Sequence, residues 1–386
     1  MDKTKILKNK SYCLLPWSGF IVEPNGTVKN CIQSTNKLGN VESDTMEEII
    51  HSKNNLEVKQ KMLDDAKPAS CEGCYFQEKN RSVNFENISS RIYYMKNLAK
   101  HVDLDRVFDK DYFKLKHIDL RWSNKCNQAC VYCGPQASSK WAQELGQKVG
   151  VTSATTKKLK DYVYGNIKNL QNVYLAGGEP TLMKENQEFL QLLLKENPEV
   201  QLRINTNLSS IDNPFFDLVR KFRNVHWTIS VENLQQEYEY VRFHGNWETF
   251  INNLEQVRTY DHKIGFNMLF FMLNYHSIFD TVAYFQKMGF HNQNFVIGPI
   301  EDPLPLNVRC LPKSLQHHVM DQLQDEIQKS PGFLLQNSYE NIFKYMQQDY
   351  DQSLYSMADT QNFLSTLDMR RKTSYESTFP HLCAHD

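Results

Sequence analysis

The chain has 386 residues, of which 40% are hydrophobic and 23% charged. That is globular usage on a length beyond one typical domain, and it excludes wholesale disorder. The net charge of −1 argues against a strongly basic nucleic-acid binder, and no apolar run of about 18 residues is present to span a membrane.

The start, Met1-Asp2-Lys3-Thr4-Lys5, is charged, and the apolar stretch behind it is broken by Pro16 and Ser18-Gly19. This makes a poor signal peptide and suggests a cytoplasmic protein. Phe20-Ile21-Val22, Pro24-Asn25-Gly26 and Thr27-Val28-Lys29 read as strand, turn and strand. Asp44-Thr45-Met46-Glu47 reads as a capping box that opens an amphipathic helical segment through Met46, Ile49, Ile50, Leu56 and Met62-Leu63. A second helix is expected near Arg91 to Lys100.

Further along, strand-like runs at His117 to Leu120, Asn172 to Leu175, Val200 to Ile204, Val225 to Val231, Ile264 to Phe271 and Asn294 to Ile297 alternate with helical stretches such as Glu185 to Glu196 and Trp247 to Tyr260. Strands separated by helices imply βαβ units and a parallel sheet. Six of them suit an α/β fold of the partial (β/α)6, TIM-like barrel type, whose chemistry sits at the C-terminal ends of the strands. The expected division is 1–105, a cysteine-bearing module; 106–300, the barrel; and 301–386, a mainly helical extension with no assignable motif.

Nine cysteines, at 13, 31, 71, 74, 126, 130, 133, 310 and 383, form an odd, clustered set. Without an export signal this argues for metal ligation in a reducing compartment and against a disulfide framework. Cys126, Cys130 and Cys133 follow the first barrel strand in a Cys-x3-Cys-x2-Cys loop. Three thiolates on a four-iron cube leave one iron open to chelate a small molecule. Zinc takes the same thiolates, with a fourth ligand from elsewhere.

This loop, with Tyr132 just before its last cysteine, resembles the cluster loop of the radical SAM enzymes. In that family the open iron binds S-adenosylmethionine. Reductive cleavage gives methionine and a 5′-deoxyadenosyl radical, which abstracts hydrogen. Ala176-Gly177-Gly178-Glu179-Pro180, at the end of the second strand, is similar to the family's GGEP motif, which contacts the methionine amino group. Glycines permit close backbone approach, and an ammonium wants oxygen acceptors. Asn205-Thr206-Asn207 ends the third strand like the family's Thr-Asn pair near the cofactor. Ser230 and Arg242 resemble a Ser and an Arg that hold the S-adenosylmethionine carboxylate in the peptide-modifying branch. Asn267, Leu269 and Phe271 could reach the adenine, although one face of any strand is core by default. For Tyr132 and Trp122 the alternatives are packing and shielding of the cluster.

Cys13, Gly26, Cys31 and Cys71-Glu72-Gly73-Cys74 resemble the first part of the SPASM and twitch auxiliary-cluster modules, here placed before the barrel instead of after it. The resemblance implies a second [4Fe–4S] cluster on Cys13, Cys31, Cys71 and Cys74; a four-cysteine zinc is the alternative. It further implies an enzyme that abstracts hydrogen from a peptide or protein residue, with a flavodoxin or ferredoxin as electron donor. Radical chemistry on a small molecule or nucleotide, and a non-catalytic metal-stabilised binding protein, are the alternatives. Cys310 and Cys383 are left over as free thiols, with a redox or hydrogen-donor role for Cys310 as the functional alternative.

Overall fold

The computed structural model describes residues 9–79, 89–149, 153–330 and 333–383; the charged start at 1–5 lies outside them. The chain divides into two compact units. One holds residues 1–126, 135–206 and 212–226, and the other holds 127–134, 207–211 and 227–386. The architecture is α/β with parallel strands and connecting helices, of the partial-barrel type expected. Among the described residues no helix is long and apolar enough to cross a membrane.

In the first unit, β1 (Gly19–Val22) and β2 (Thr27–Lys29) form the expected hairpin. Gly26 closes its turn at φ +81°, a conformation that favours glycine. A third strand, β3 (Lys37–Asn40), pairs antiparallel with β2. Its Gly39-Asn40 end carries no strand signal, so only the pairing reveals it. On the other side β1 pairs parallel with β4 (His117–Leu120), from Gly19 opposite His117 to Val22 opposite Leu120. The N-terminal strands therefore extend the sheet at its first barrel strand. β4, β5 (Asn172–Leu175) and β6 (Gln201–Thr206) continue it in parallel.

The capping box sits one residue later than the sequence suggests, with Thr45 as cap and Glu48 as its partner. The single helical segment expected there is two helices, Met46–Ile50 and Lys53–Leu63, because Ser52 caps the second. Asn55 ties that helix to the hairpin region. Its amide donates to Pro16 O (3.2 Å) and Ile50 O (2.7 Å) and accepts from Asn30 Nδ2 (2.9 Å). Trp17 is fully buried among Leu14, Val58, Met62, Leu98 and Val107, and its indole N–H donates to Val107 O at 2.8 Å.

The second unit carries most of β7 (Val225–Ser230), then β8 (Lys263–Phe270) and β9 (Phe295–Pro299). β8 and β9 pair in parallel, and Phe266 stacks on Phe285 and Phe295 with centroids 4.5 and 5.3 Å away. Helices Lys313–Lys329, Phe333–Gln347 and Met357–Arg371 make up most of the C-terminal region.

Trp17→Ala should cost about 3–5 kcal/mol, since it empties a large buried volume and strands the Val107 carbonyl. Urea unfolding under reducing conditions measures it. A loss below about 1 kcal/mol would show that the N-terminal core does not close around Trp17.

Candidate functional site

The four N-terminal cysteines come from three places. Cys13 precedes the short helix Leu15–Ser18, and Cys31 lies two residues past β2. Cys71 ends the 3-10 turn Ala69–Cys71, and Cys74 is in the first turn of helix Glu72–Lys79. Three-residue spacing puts the last pair on one side of that turn. All four line one cavity, with Leu15, Met62, Tyr75 and Arg91 in its wall. Arg91 is buried, bonds Glu78 through two nitrogens and donates to Tyr12 O at 2.9 Å. The Tyr75 hydroxyl donates to Ser11 O at 2.6 Å. These bonds hold the cysteine-bearing helix against the segment before Cys13.

No cysteine is in a disulfide. Burial pushes the Cys13 thiol well up and that of Cys31 to about 12, and the neighbouring cysteines push further in the same direction. The thiols are therefore protonated at neutral pH, and any metal they take must displace protons. Four thiols on one apolar-walled cavity fit a thiolate-held cluster in donor type and number. Among the described residues no group of three or more His, Cys, Asp or Glu is arranged to hold a single metal ion.

Cys126 belongs to the first unit, and Cys130 and Cys133 to the second. Ser139 holds the root of the Cys126 loop. Its hydroxyl donates to Cys126 O (3.0 Å) and accepts from Cys126 N–H (3.1 Å). The glycines after β5 press on the same root. A Cβ on Gly178 would sit 2.2 Å from Lys125 O, so only glycine fits. Gly177 has φ +122° and abuts Ser123 O. The N–H of Glu179 donates to Lys125 O at 2.7 Å. The close backbone approach expected of these glycines is thus made to the chain's own cysteine loop. Glu179 is buried, and its Oε1 accepts from Thr181 Oγ1 and Thr206 Oγ1, each at 2.8 Å. Asn205, at the end of β6, has a buried Oδ1 with no hydrogen-bond partner among the described residues. An orphaned acceptor at the C-terminal end of a barrel strand fits a ligand that brings a donor. Trp122 packs, its indole donating to Asn186 Oδ1 at 2.9 Å.

In the second unit, the loop of Cys130 and Cys133 is pinned to residues 241–243. Ala129 N–H donates to Phe243 O (2.9 Å) and Val131 N–H to Val241 O (2.8 Å). Asn207 Nδ2 donates to Asn127 Oδ1 at 3.0 Å, so this asparagine supports the loop as well. Arg242 is buried and meets Glu232 in a bidentate pair, with both contacts at 2.8 Å. Its Nη1 lies 4.0 Å from Cys130 Sγ. Burial pushes the Glu232 carboxyl up against the pull of Arg242, and the same pairing holds the guanidinium protonated. Tyr132 meets Phe271 edge-on at 5.8 Å with Arg242 at 5.9 Å over its ring. Ser230, Asn267 and Leu269 are half-buried, and Phe271 is buried against Tyr132. Cys310 is buried, its thiol donating to Leu304 O at 3.3 Å, and Cys383 is half-buried.

Sequence reasoning missed Glu232, which stands two residues beyond Ser230 with no motif to mark it. It also missed a polar row on one face of β4–β6. The strand registers align Asp119 with Tyr174 and Arg203, and His117 with Asn172 and Gln201; the opposite face is Ile118, Val173 and Leu202. Asp119 and Arg121 pair through two 3.0 Å contacts, and Tyr94 Oη is hydrogen-bonded to His117 Nε2 at 3.0 Å. The signal was available, since His and Asp alternate with Ile and Leu in a strand buried along its whole length. Burial, with the Arg203 charge adding to it, pushes His117 down to about 3.

Comparison with known proteins matches residues 120–292 to the radical SAM superfamily and residues 13–75 to the SPASM iron–sulfur cluster-binding domain. No curated protein sequence matches. Among solved structures, anSMEcpe with bound AdoMet is 16% identical, with 55% of this chain and 60% of that chain covered and a TM-score of 0.42. SuiB of Streptococcus suis bound to precursor peptide SuiA is 13% identical, with 71% and 63% covered and a TM-score of 0.43. TYW1 with a lysine–pyruvate adduct is 18% identical, with 55% and 73% covered and a TM-score of 0.35. The chain spans about 60% of the length of the anSMEcpe and SuiB structures.

Two outcomes are expected. Glu232→Gln leaves Arg242 buried without a counter-charge and should cost about 3–5 kcal/mol in urea unfolding, much of it recovered when Arg242→Met is added. A change below about 1 kcal/mol would mean that solvent reaches the pair. His117 is neutral when folded, with a pKa below its unfolded value. Stability should therefore fall as pH drops from about 6.5 toward 3, by up to about 1.4 kcal/mol per unit from this group. Denaturation of wild type and His117→Gln at pH 4 and 7 reads that difference, and equal slopes would remove His117 as its source.

Proposed function

The chain belongs to the radical SAM superfamily and is an iron–sulfur enzyme with a SPASM module; from that premise we propose that it cleaves S-adenosylmethionine reductively to abstract hydrogen from a peptide or protein residue. The observation that carries this reading is the backbone contact of Gly178 on Lys125, which builds the Gly-Gly-Glu-Pro stretch onto the root of the Cys126 loop. A scaffold that only bound a structural metal would not need the two motifs joined.

Cys126, Cys130 and Cys133 would hold the cluster on which S-adenosylmethionine is cleaved, and Cys13, Cys31, Cys71 and Cys74 a second, fully ligated [4Fe–4S] cluster. When bound, these groups supply the electron and the open iron that break the sulfonium bond to give a 5′-deoxyadenosyl radical. The chain's own residues bind and orient. Gly177 and Gly178 offer backbone carbonyls, and the Glu179 carboxylate, fixed by Thr181 and Thr206, is an acceptor for the methionine ammonium. Asn205 has an acceptor to offer. Arg242 gives its forked face to Glu232, which leaves Nη1, beside Cys130, for a cofactor carboxylate. Asn207, Ser230 and Tyr132 complete the proposed surround. Full ligation makes electron relay or structural support, and not direct substrate binding, the role of the N-terminal cluster, with a flavodoxin- or ferredoxin-type electron donor in the cytoplasm. The functional division proposed is 1–105, 106–300 and 301–386. The SPASM module supports the peptide substrate, and the near-neutral net charge is compatible with it.

Anaerobic reconstitution should give about eight irons with matching sulfide per chain and, with dithionite and S-adenosylmethionine, 5′-deoxyadenosine. Cys130→Ala should abolish that product and retain about four irons. Zinc in place of about half the iron would make the N-terminal module a structural zinc domain. Cleavage retained in Cys130→Ala would sink the assignment.

A further inference from the structure

The C-terminal extension holds a cavity of about 240 Å³ that the proposed chemistry does not use. Arg309 and Lys313 line it, with Tyr350, Gln316 and Cys310 in the wall. Arg309 is 9% exposed, and its guanidinium lies 3.9 Å from the Tyr345 ring and 4.7 Å from that of Tyr350. Nη2 donates to Tyr345 O (2.7 Å) and Gln348 Oε1 (3.3 Å), while Nε is buried with no partner among the described residues. Lys313 Nζ lies 4.5 Å from the same Tyr350 ring and donates to Tyr350 Oη at 2.8 Å. That hydroxyl in turn donates to Gln316 Oε1 at 2.9 Å.

Two cations thus flank one aromatic ring, and among the described residues neither has a carboxylate partner. Two acids of the adjoining segment, Asp351 and Asp359, serve their own turns. Asp351 accepts from Ser353 N–H and Oγ, and Asp359 from Ser356 Oγ. The 17-residue helix Lys313–Lys329 also starts at this wall, with Pro312 as a cap that supplies no side-chain acceptor. Its first free N–H groups add positive potential there. A buried, unpaired guanidinium N–H is costly to leave unmade, so the arrangement is completed by an acceptor.

We propose that this cavity binds a small oxyanion, the carboxylate or phosphate of a compact ligand, held by Arg309 and Lys313 with the Tyr350 ring as its flat wall. The volume lies just below the roughly 300–1,000 Å³ of drug-sized sites, which suits a phosphate or a single amino-acid-sized acid. The site is independent of the radical chemistry. It also gives the thiol of Cys310 a place in a ligand wall, away from any cluster.

The test is calorimetric titration of the full-length, reconstituted protein at constant ionic strength, with inorganic phosphate and with N-acetylglycine. One saturable site is expected for at least one probe, and the tighter probe names the source of the oxyanion. Lys313 is exposed, so Lys313→Gln should keep the circular dichroism of the wild type and weaken binding about tenfold; Arg309→Gln should weaken it at least as much. No saturable binding of either probe overturns the proposal. So does affinity that Lys313→Gln leaves unchanged.

Discussion

The contact of Gly178 with the Lys125 carbonyl is the constraint around which the first half of the site is built. A methyl group there would stand 2.2 Å from backbone oxygen, and a main-chain atom cannot swing aside as a side chain can. With no Cβ, the loop after β5 lies flat on the loop after β4. The N–H of Glu179 then reaches Lys125 O, and its carboxylate is delivered into the buried bonds with Thr181 and Thr206. Loops that follow neighbouring parallel strands emerge at one end of a sheet. Here backbone contact makes two of them a single piece, so the position of Cys126 and the direction of Glu179 are not independent.

The N-terminal module solves a different problem. Its short elements build a core of their own around Trp17, but one of modest size. β1 also joins the sheet in register with β4, while the helix Lys53–Leu63 is held by Asn55, which donates to Pro16 O, and by Val58 and Met62 in the core around Trp17. The cysteines are delivered at the margins of this core, where their protonated thiols share one cavity. Arg91, bonded to Glu78 and to Tyr12 O, braces the cavity wall. Binding of a cluster there exchanges protons for metal, which couples the state of the module to pH and to iron supply.

Several of the buried charges elsewhere are paired or neutralised. Arg242 is answered by Glu232 and Asp119 by Arg121, and His117 stays uncharged. Arg309 has no carboxylate partner among the described residues. Its Nε finds no acceptor among those residues, and the neighbouring cation Lys313 adds to the imbalance. The polar face of β4–β6 and the cavity around Arg309 are separate places where buried polar groups are concentrated, the first in the barrel strands and the second in the helical extension.

Much of this was legible in the sequence because it is local. The Cys-x3-Cys-x2-Cys and Gly-Gly-Glu-Pro spacings, the Pro24-Asn25-Gly26 turn and the strand–helix alternation each lie within a few residues, and each sets backbone geometry or ligand type directly. Local rules blurred where two readings fit the same stretch. The capping box moved by one residue to Thr45, and one expected helix became two, because Ser52 is itself a good cap. Strand β3, the pairing of Glu232 with Arg242 and the cations around Tyr350 were decided by the tertiary structure alone. Each joins residues through burial and pairing across the fold. An isolated Glu, Arg or Gly-Asn has the same propensity wherever it stands, and only its neighbours in space determine whether it is solvated, paired or left waiting for a partner.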